Sequence, residues 1–97
     1  MRFSFTAKLW LYPGDASWYF ITVPKKESEK VRAVAKKVKR GWGSVKVKAK
    51  VGKTPFDTSV FPDSASGTFL LPVKAAVRRK EALDAGDSAK VSLTLIS

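Results

Sequence analysis

The sequence predicts a mainly β fold with two helices, assembled from two ββαβ units around one core. Three observations lead there. Apolar and polar residues alternate with period two in four segments, the mark of half-buried strands, and two further runs, Ser17 to Val23 and Thr68 to Val73, also read as strands. Two other stretches, near 26–40 and 74–82, carry helical signals instead. The order strand, strand, helix, strand then occurs twice, over pseudo-repeats at roughly 3–51 and 54–96. One half could hardly bury its own apolar faces, so the halves are expected to share a core. The 97 residues suffice for a single domain over 1–97.

In the first unit, Phe3, Phe5, Ala7, Leu9 and Leu11 alternate with Ser4, Thr6, Lys8 and Trp10. Pro13-Gly14-Asp15 punctuates the chain, and the aromatic and β-branched run Ser17 to Val23 forms a second strand of an antiparallel hairpin. Pro24 stops that strand and suits the first turn of a helix. There Val31, Val34, Ala35 and Val38 fall at i, i+3, i+4 and i+7, a single apolar stripe. Glu27 and Glu29 lie early in this helix and Lys36, Lys37, Lys39 and Arg40 late, as the helix dipole prefers. Gly41-Trp42-Gly43 ends it, with Gly41 suited to a left-handed cap. Val45, Val47, Ala49 and Val51 then alternate with Lys46, Lys48 and Lys50, so the third strand has an outer face made only of lysine.

Gly52-Lys53 turns the chain into a fourth strand, where Phe56, Thr58 and Val60 alternate with Asp57, Ser59 and Phe61. Residues 62–67 have loop chemistry. A fifth strand over 68–73 is expected to be interrupted by Pro72, and a short helix over 74–83 follows. Asp84-Ala85-Gly86-Asp87 turns into a sixth strand with Ala89, Val91, Leu93 and Leu95 on one face. The parallels between the halves go beyond order. Phe20-Ile21-Thr22-Val23-Pro24-Lys25 resembles Phe69-Leu70-Leu71-Pro72-Val73-Lys74 before each helix, and Gly43-Ser44-Val45-Lys46-Val47 resembles Gly86-Asp87-Ser88-Ala89-Lys90-Val91 after it, with chance similarity between β-rich segments as the alternative.

Composition narrows the function classes. The chain has no cysteine and no histidine, so thiol chemistry is absent and so are the commonest general base and metal ligand. No phosphate-binding glycine loop, nucleophile elbow or metal-ligand spacing occurs. The acids fall mostly in turns or on helices, where capping and pairing explain them; Asp57, inside a strand, is the exception. No catalytic residue, metal or cofactor is expected, and the protein reads as a non-enzyme. The longest apolar run, Trp18 to Ile21, is four residues, so no transmembrane helix is expected. Met1 to Phe5 has no secretory h-region, which points to a cytoplasmic protein.

Several short motifs occur in a telling order. They are Trp18 before a strand ending Val23-Pro24, then Gly41-Trp42-Gly43-Ser44-Val45-Lys46-Val47, Gly52-Lys53-Thr54-Pro55-Phe56-Asp57-Thr58-Ser59, Val77-Arg78, and Ala85-Gly86-Asp87. Together they resemble the DUF1905 family, a small bacterial and archaeal domain without an assigned biochemical activity. The resemblance runs roughly from Phe3 to Leu95. It implies a double-split β-barrel, or pseudobarrel, with two ββαβ halves closed together and a helix at each end. That architecture is AbrB/MazE/MraZ-like, a group in which many members bind DNA. The family lends no functional residues.

Charge is the strongest functional signal. Nineteen Lys and Arg against eight Asp and Glu leave a net +11, concentrated between Lys25 and Lys53. A polyanion such as nucleic acid is the partner this implies, through Arg32, Lys36, Lys37, Lys39, Arg40, Lys46, Lys48 and Lys50. The same lysines would also serve solubility and guard a strand edge against aggregation, and both readings stand at this point. Lysine outnumbers arginine, which disfavours bidentate base reading. A second function class is an aromatic-lined cleft near Trp10 and Asp57 that holds a small molecule or a protein partner. Trp10 stands on the polar face of its strand, whereas Trp18 and Trp42 flank the first helix and are expected to pack on it. The protein is expected to be monomeric, with no membrane partner, because one chain holds both halves and its charge opposes self-association.

Overall fold

Period-two alternation becomes an inside and an outside. The computed structural model describes residues 1–14, 18–38 and 43–96. In chain order these form β1 (Arg2–Leu11), β2 (Tyr19–Val23), α1 (Lys25–Val38), β3 (Val45–Val51), β4 (Thr54–Asp63), β5 (Thr68–Pro72), α2 (Ala75–Lys80) and β6 (Ser88–Ile96). The six strands close into a barrel in the order β1-β2-β5-β4-β3-β6, and every neighbouring pair is antiparallel. Phe3, Leu9, Ile21, Val23, Val45, Val47, Val51, Val60, Leu71, Val91 and Leu93 point inward and form the core with α-helical Val31 and Val77.

Each helix covers one mouth. Val31 is fully buried and Val34 and Ala35 pack beside it, so the apolar stripe of α1 faces the barrel as the spacing requires. Ser28 extends that stripe by one turn. It is fully buried, donates from Oγ to the Val23 carbonyl at 2.9 Å and accepts the Phe69 N–H at 3.0 Å. One hydroxyl thus joins α1 to the end of β2 and the start of β5, satisfying backbone groups that would be costly to bury unpaired. At the opposite mouth, the Arg78 guanidinium of α2 lies 3.8 Å over the Tyr19 ring at the start of β2. Glu81 reaches the β3–β4 turn, accepting from Thr54 Oγ1 at 2.5 Å and from the Lys53 N–H at 3.3 Å. The turn before β6 is stitched to β1 by Gly86 N–H to Leu9 O at 2.8 Å and Leu9 N–H to Asp87 O at 2.9 Å.

Four sequence expectations need correction. Pro72 does not interrupt β5. It is the last residue of the strand, paired with Phe20, and the Val73 N–H still bonds the Tyr19 carbonyl at 2.9 Å beyond it. Nor does β4 stop at Phe61, because Pro62 and Asp63 pair with Phe69 and Thr68, leaving a shorter turn closed by Gly67 N–H to Asp63 O. Leu11, the last residue of β1, pairs with Tyr19 and is exposed rather than part of the core. Trp18 does not pack on the first helix; it is exposed and stacks on Phe20, with ring centroids 5.9 Å apart. The expected contributions of Ser17, Lys39, Arg40, Gly41 and Trp42 lie outside the described residues.

Two backbone positions in the left-handed region generate stability predictions. Gly52 has φ +59°, and a Cβ there would fall 1.9 Å from Glu81 Oε1. Gly52→Ala should therefore lower the unfolding free energy by about 1–3 kcal/mol in urea titrations, by combining strain with loss of the Glu81 contacts. An unchanged midpoint would show that the turn does not depend on that approach. Ala82, with φ +53°, carries the opposite expectation. Ala82→Gly should stabilise by about 0.5–1 kcal/mol, because relief of the left-handed penalty exceeds the entropy glycine adds to the unfolded chain.

Candidate functional site

Because the inward residues of β3 are all buried, Lys46, Lys48 and Lys50 must all face solvent, and they are exposed together. Inverting the register would bury three ammonium groups, each at several kcal/mol, so the lysine row is dictated by the core behind it. Barrel closure then adds to the row. β6 lies beside β3, with Lys48 opposite Thr94 and Lys50 opposite Ser92. β1 lies beside β6 in turn, with Ser4 opposite Ser92 and Thr6 opposite Lys90. Arg2, Lys8 and Lys90 therefore join the lysines on one outer wall, and all six cations are exposed. Serine and threonine hydroxyls fill the positions between them, and β1, β3 and β6 carry no acidic residue. Asp57, opposite Lys48 on β4, is the nearest carboxylate in register.

Within this wall is a depression of about 280 Å³ lined by Arg2, Ser4, Lys50, Lys90 and Ser92. Arg2 Nε donates to Ser92 Oγ at 3.4 Å, a long bond that leaves the guanidinium open to a better acceptor. Three cations and two hydroxyls around one depression form a set suited to phosphate oxygens. The edge-guard explanation of the lysines does not fit this geometry. β3 is paired on both sides, with β4 and β6, and has no free edge to protect.

The helical cations behave differently from one another. Arg32 is committed: it pairs with Glu29 at 2.5 Å, donates to the Gly67 carbonyl and lies 5.8 Å from the Phe69 ring centroid. Lys36 and Lys37 are exposed near the end of α1, while Lys39 and Arg40 fall outside the described residues.

The neighbouring part of the outer wall is aromatic. Trp10 pairs with Phe20 across β1 and β2 at 5.4 Å between centroids, and its Nε1 donates to Thr22 Oγ1 at 2.9 Å. Tyr12 and Trp18 pack edge-on and stacked against the same Phe20 ring. Tyr12, Trp18, Phe20, Phe61 and Leu70 surround an open bowl of about 440 Å³. Phe61 also lines a groove with Lys46, Ser59 and Ile96, so the aromatic and cationic parts of the wall meet there.

On the other side of Trp18 is a cleft of about 420 Å³, walled by Trp18, Tyr19, Phe56 and Pro72 and carrying Asp57, Thr58, Lys74 and Arg78. The sequence pointed to a cleft near Trp10 and Asp57. Asp57 does line one, but its tryptophan is Trp18; Trp10 lies on the outer face, held by Thr22. Arg78 was visible in the sequence only as part of a short motif, and nothing there revealed that β2 would place a tyrosine face beneath it. Arg2, Lys8 and Lys90 were equally hidden, because they join β3 only through pairings between distant strands.

No curated protein matches this sequence. The family model described as a domain of unknown function (DUF1905) matches residues 5–93. That span takes in β2 to β5, both helices and most of β1 and β6, with Arg2 just outside it, and the chain belongs to the DUF1905 family.

Proposed function

We propose that the protein is a non-enzymatic module that binds single-stranded nucleic acid on the outer wall formed by β3, β6 and β1. The observation that carries this reading is the depression between Arg2, Lys50 and Lys90, where three cations converge with two hydroxyls and no carboxylate. Like charges so arranged repel, and a polyanion relieves that repulsion while releasing its own counterions. The aromatic bowl favours a single strand over a duplex, because unpaired bases can leave the backbone track and stack on Trp18, Tyr12 or Phe61. Lysines touching phosphate carry no base information, so binding is independent of sequence.

We also infer that the barrel is the double-split, AbrB-like pseudobarrel made of two ββαβ repeats. Exchanging β1 with β4, β2 with β5 and β3 with β6 leaves the cyclic strand order unchanged. Ile21 opposite Leu71 and Ala49 opposite Leu93 then mark the two places where equivalent strands meet. With both halves in one chain, and a net charge of +11, the working form in this reading is a cytoplasmic monomer.

Fluorescence anisotropy with a generic labelled oligonucleotide tests the binding. The wild-type protein should prefer the single strand to the matching duplex, and its affinity should fall steeply with salt. Changing Lys46, Lys48 and Lys50 together to Gln should flatten the slope of log affinity against log salt by up to about 2, the share of three phosphate contacts on a single strand. Folding should be unharmed, because the change removes repulsion from a surface. An unchanged slope in the triple variant would leave the row as a solubilising surface.

A further inference from the structure

The cleft at the α2 mouth has a chemistry that the nucleic-acid reading does not use. Its walls are aromatic, and its basic group is a guanidinium in an unusual position. Arg78 is half-buried, with one face 3.8 Å over Tyr19. Its Nε is sealed from solvent and has no hydrogen-bond partner. Among the described residues, no carboxylate lies within ion-pair distance of it. Burying part of a charged group without an anion is unfavourable, and a group held that way is poised for an external acceptor. With Nε covered and one face on Tyr19, such an acceptor reaches the guanidinium through its Nη edge, the geometry in which arginine takes a carboxylate by two parallel bonds.

We propose that this cleft binds a small aromatic monocarboxylic acid. The carboxylate meets Arg78, with Lys74 as a second cation on the cleft lining, and the ring lies among Trp18, Phe56 and Pro72. The volume of about 420 Å³ falls in the range of small-molecule sites and suits a ligand of one or two rings. Two cations against the single carboxylate of Asp57 leave a net charge of one, which matches a monoanion better than a phosphomonoester dianion. Asp57 is exposed on β4, and its carboxylate on the cleft lining opposes the bound anion.

Amide and indole NMR titration of the whole protein tests this, with 4-hydroxybenzoate as the probe, 4-hydroxybenzamide as its neutral isostere and a nucleoside monophosphate as the dianionic arm. The carboxylate should give saturable shifts at Trp18, Tyr19, Thr58 and Arg78, with a dissociation constant of about 0.1–1 mM, ordinary for a ligand this small. The amide should bind at least about tenfold more weakly, since it cannot complete the charged pair. Arg78→Met should weaken the carboxylate by a similar factor. Because Arg78 also bridges α2 to β2, Asp57→Asn supplies a variant with little risk to the fold. Removing that exposed negative charge should tighten carboxylate binding by about two- to fivefold. Equal binding of acid and amide, tighter binding of the monophosphate, no saturable shift at the cleft, or a neutral or weakening Asp57→Asn would each overturn the proposal. The monophosphate is judged by shifts at the cleft residues alone, because the cationic wall also offers phosphate contacts, and the wall's oligonucleotide binding is read separately.

Discussion

Closure of the six-stranded barrel is the constraint on which the rest of this molecule depends. In a closed antiparallel barrel each strand has one face in the core, one face outside and a neighbour on either side. β1 and β4 divide their length between those neighbours, Arg2–Lys8 pairing with β6 and Leu9–Leu11 with β2, Thr54–Val60 with β3 and Phe61–Asp63 with β5. The inner face is mostly apolar, with residues such as Leu9, Ile21, Val47, Val51, Leu71 and Leu93 fully buried. Burial of each such side chain contributes on the order of 1.5–3 kcal/mol, and a one-residue slip in any strand would forfeit several of these at once. The register is therefore held firmly, and with it the outward set. The lysine row of β3 is as well fixed in space as the valines behind it.

Closure also decides what stands beside that row. β6 serves as the joint between the two halves of the chain, pairing with β1 on one side and β3 on the other. Cations from the first strand, the third and the last thereby share one surface, although they are spread from Arg2 to Lys90. Trp10, Phe20, Leu70 and Phe61 stand among the other outer positions of β1, β2, β5 and β4, and exposed Tyr12 and Trp18 pack against Phe20. Exposed aromatic groupings of this kind contribute little to a fold and commonly mark contact with a ligand. The wall is divided into a cationic region and an aromatic region, with Phe61 and Lys46 at their boundary.

The local part of this organisation was legible in the sequence. Alternation marked β1, β3, β4 and β6, aromatic and β-branched content marked β2, and the i, i+3, i+4 stripe placed α1, because each signal depends only on neighbours along the chain. Non-local contacts were not legible. Ser28 reads as an ordinary polar helix residue until Val23 and Phe69 are seen to need its hydroxyl. Trp18 adjoins a helix in sequence, yet in space it turns outward onto Phe20, since the inner positions of β2 are taken by Ile21 and Val23. Pro72 looks like a strand breaker, but as the last residue of β5 it can lack an N–H without breaking the ladder. The candidate surface followed the same division. Lys46, Lys48 and Lys50 could be found from their spacing, while Arg2, Lys8, Lys90 and Arg78 acquire their roles only from the strand order and the packing of α2.

Barrel closure gathers dispersed cations into one wall, which we propose binds a polyanion. Lysine acylation read by mass spectrometry, with and without a single-stranded oligonucleotide, tests it most directly. The account expects Lys8, Lys46, Lys48, Lys50 and Lys90 to be protected together, while Lys25, Lys26 and Lys80 on the helices react as before. Protection spread evenly over all lysines, or confined to the helices, would contradict it.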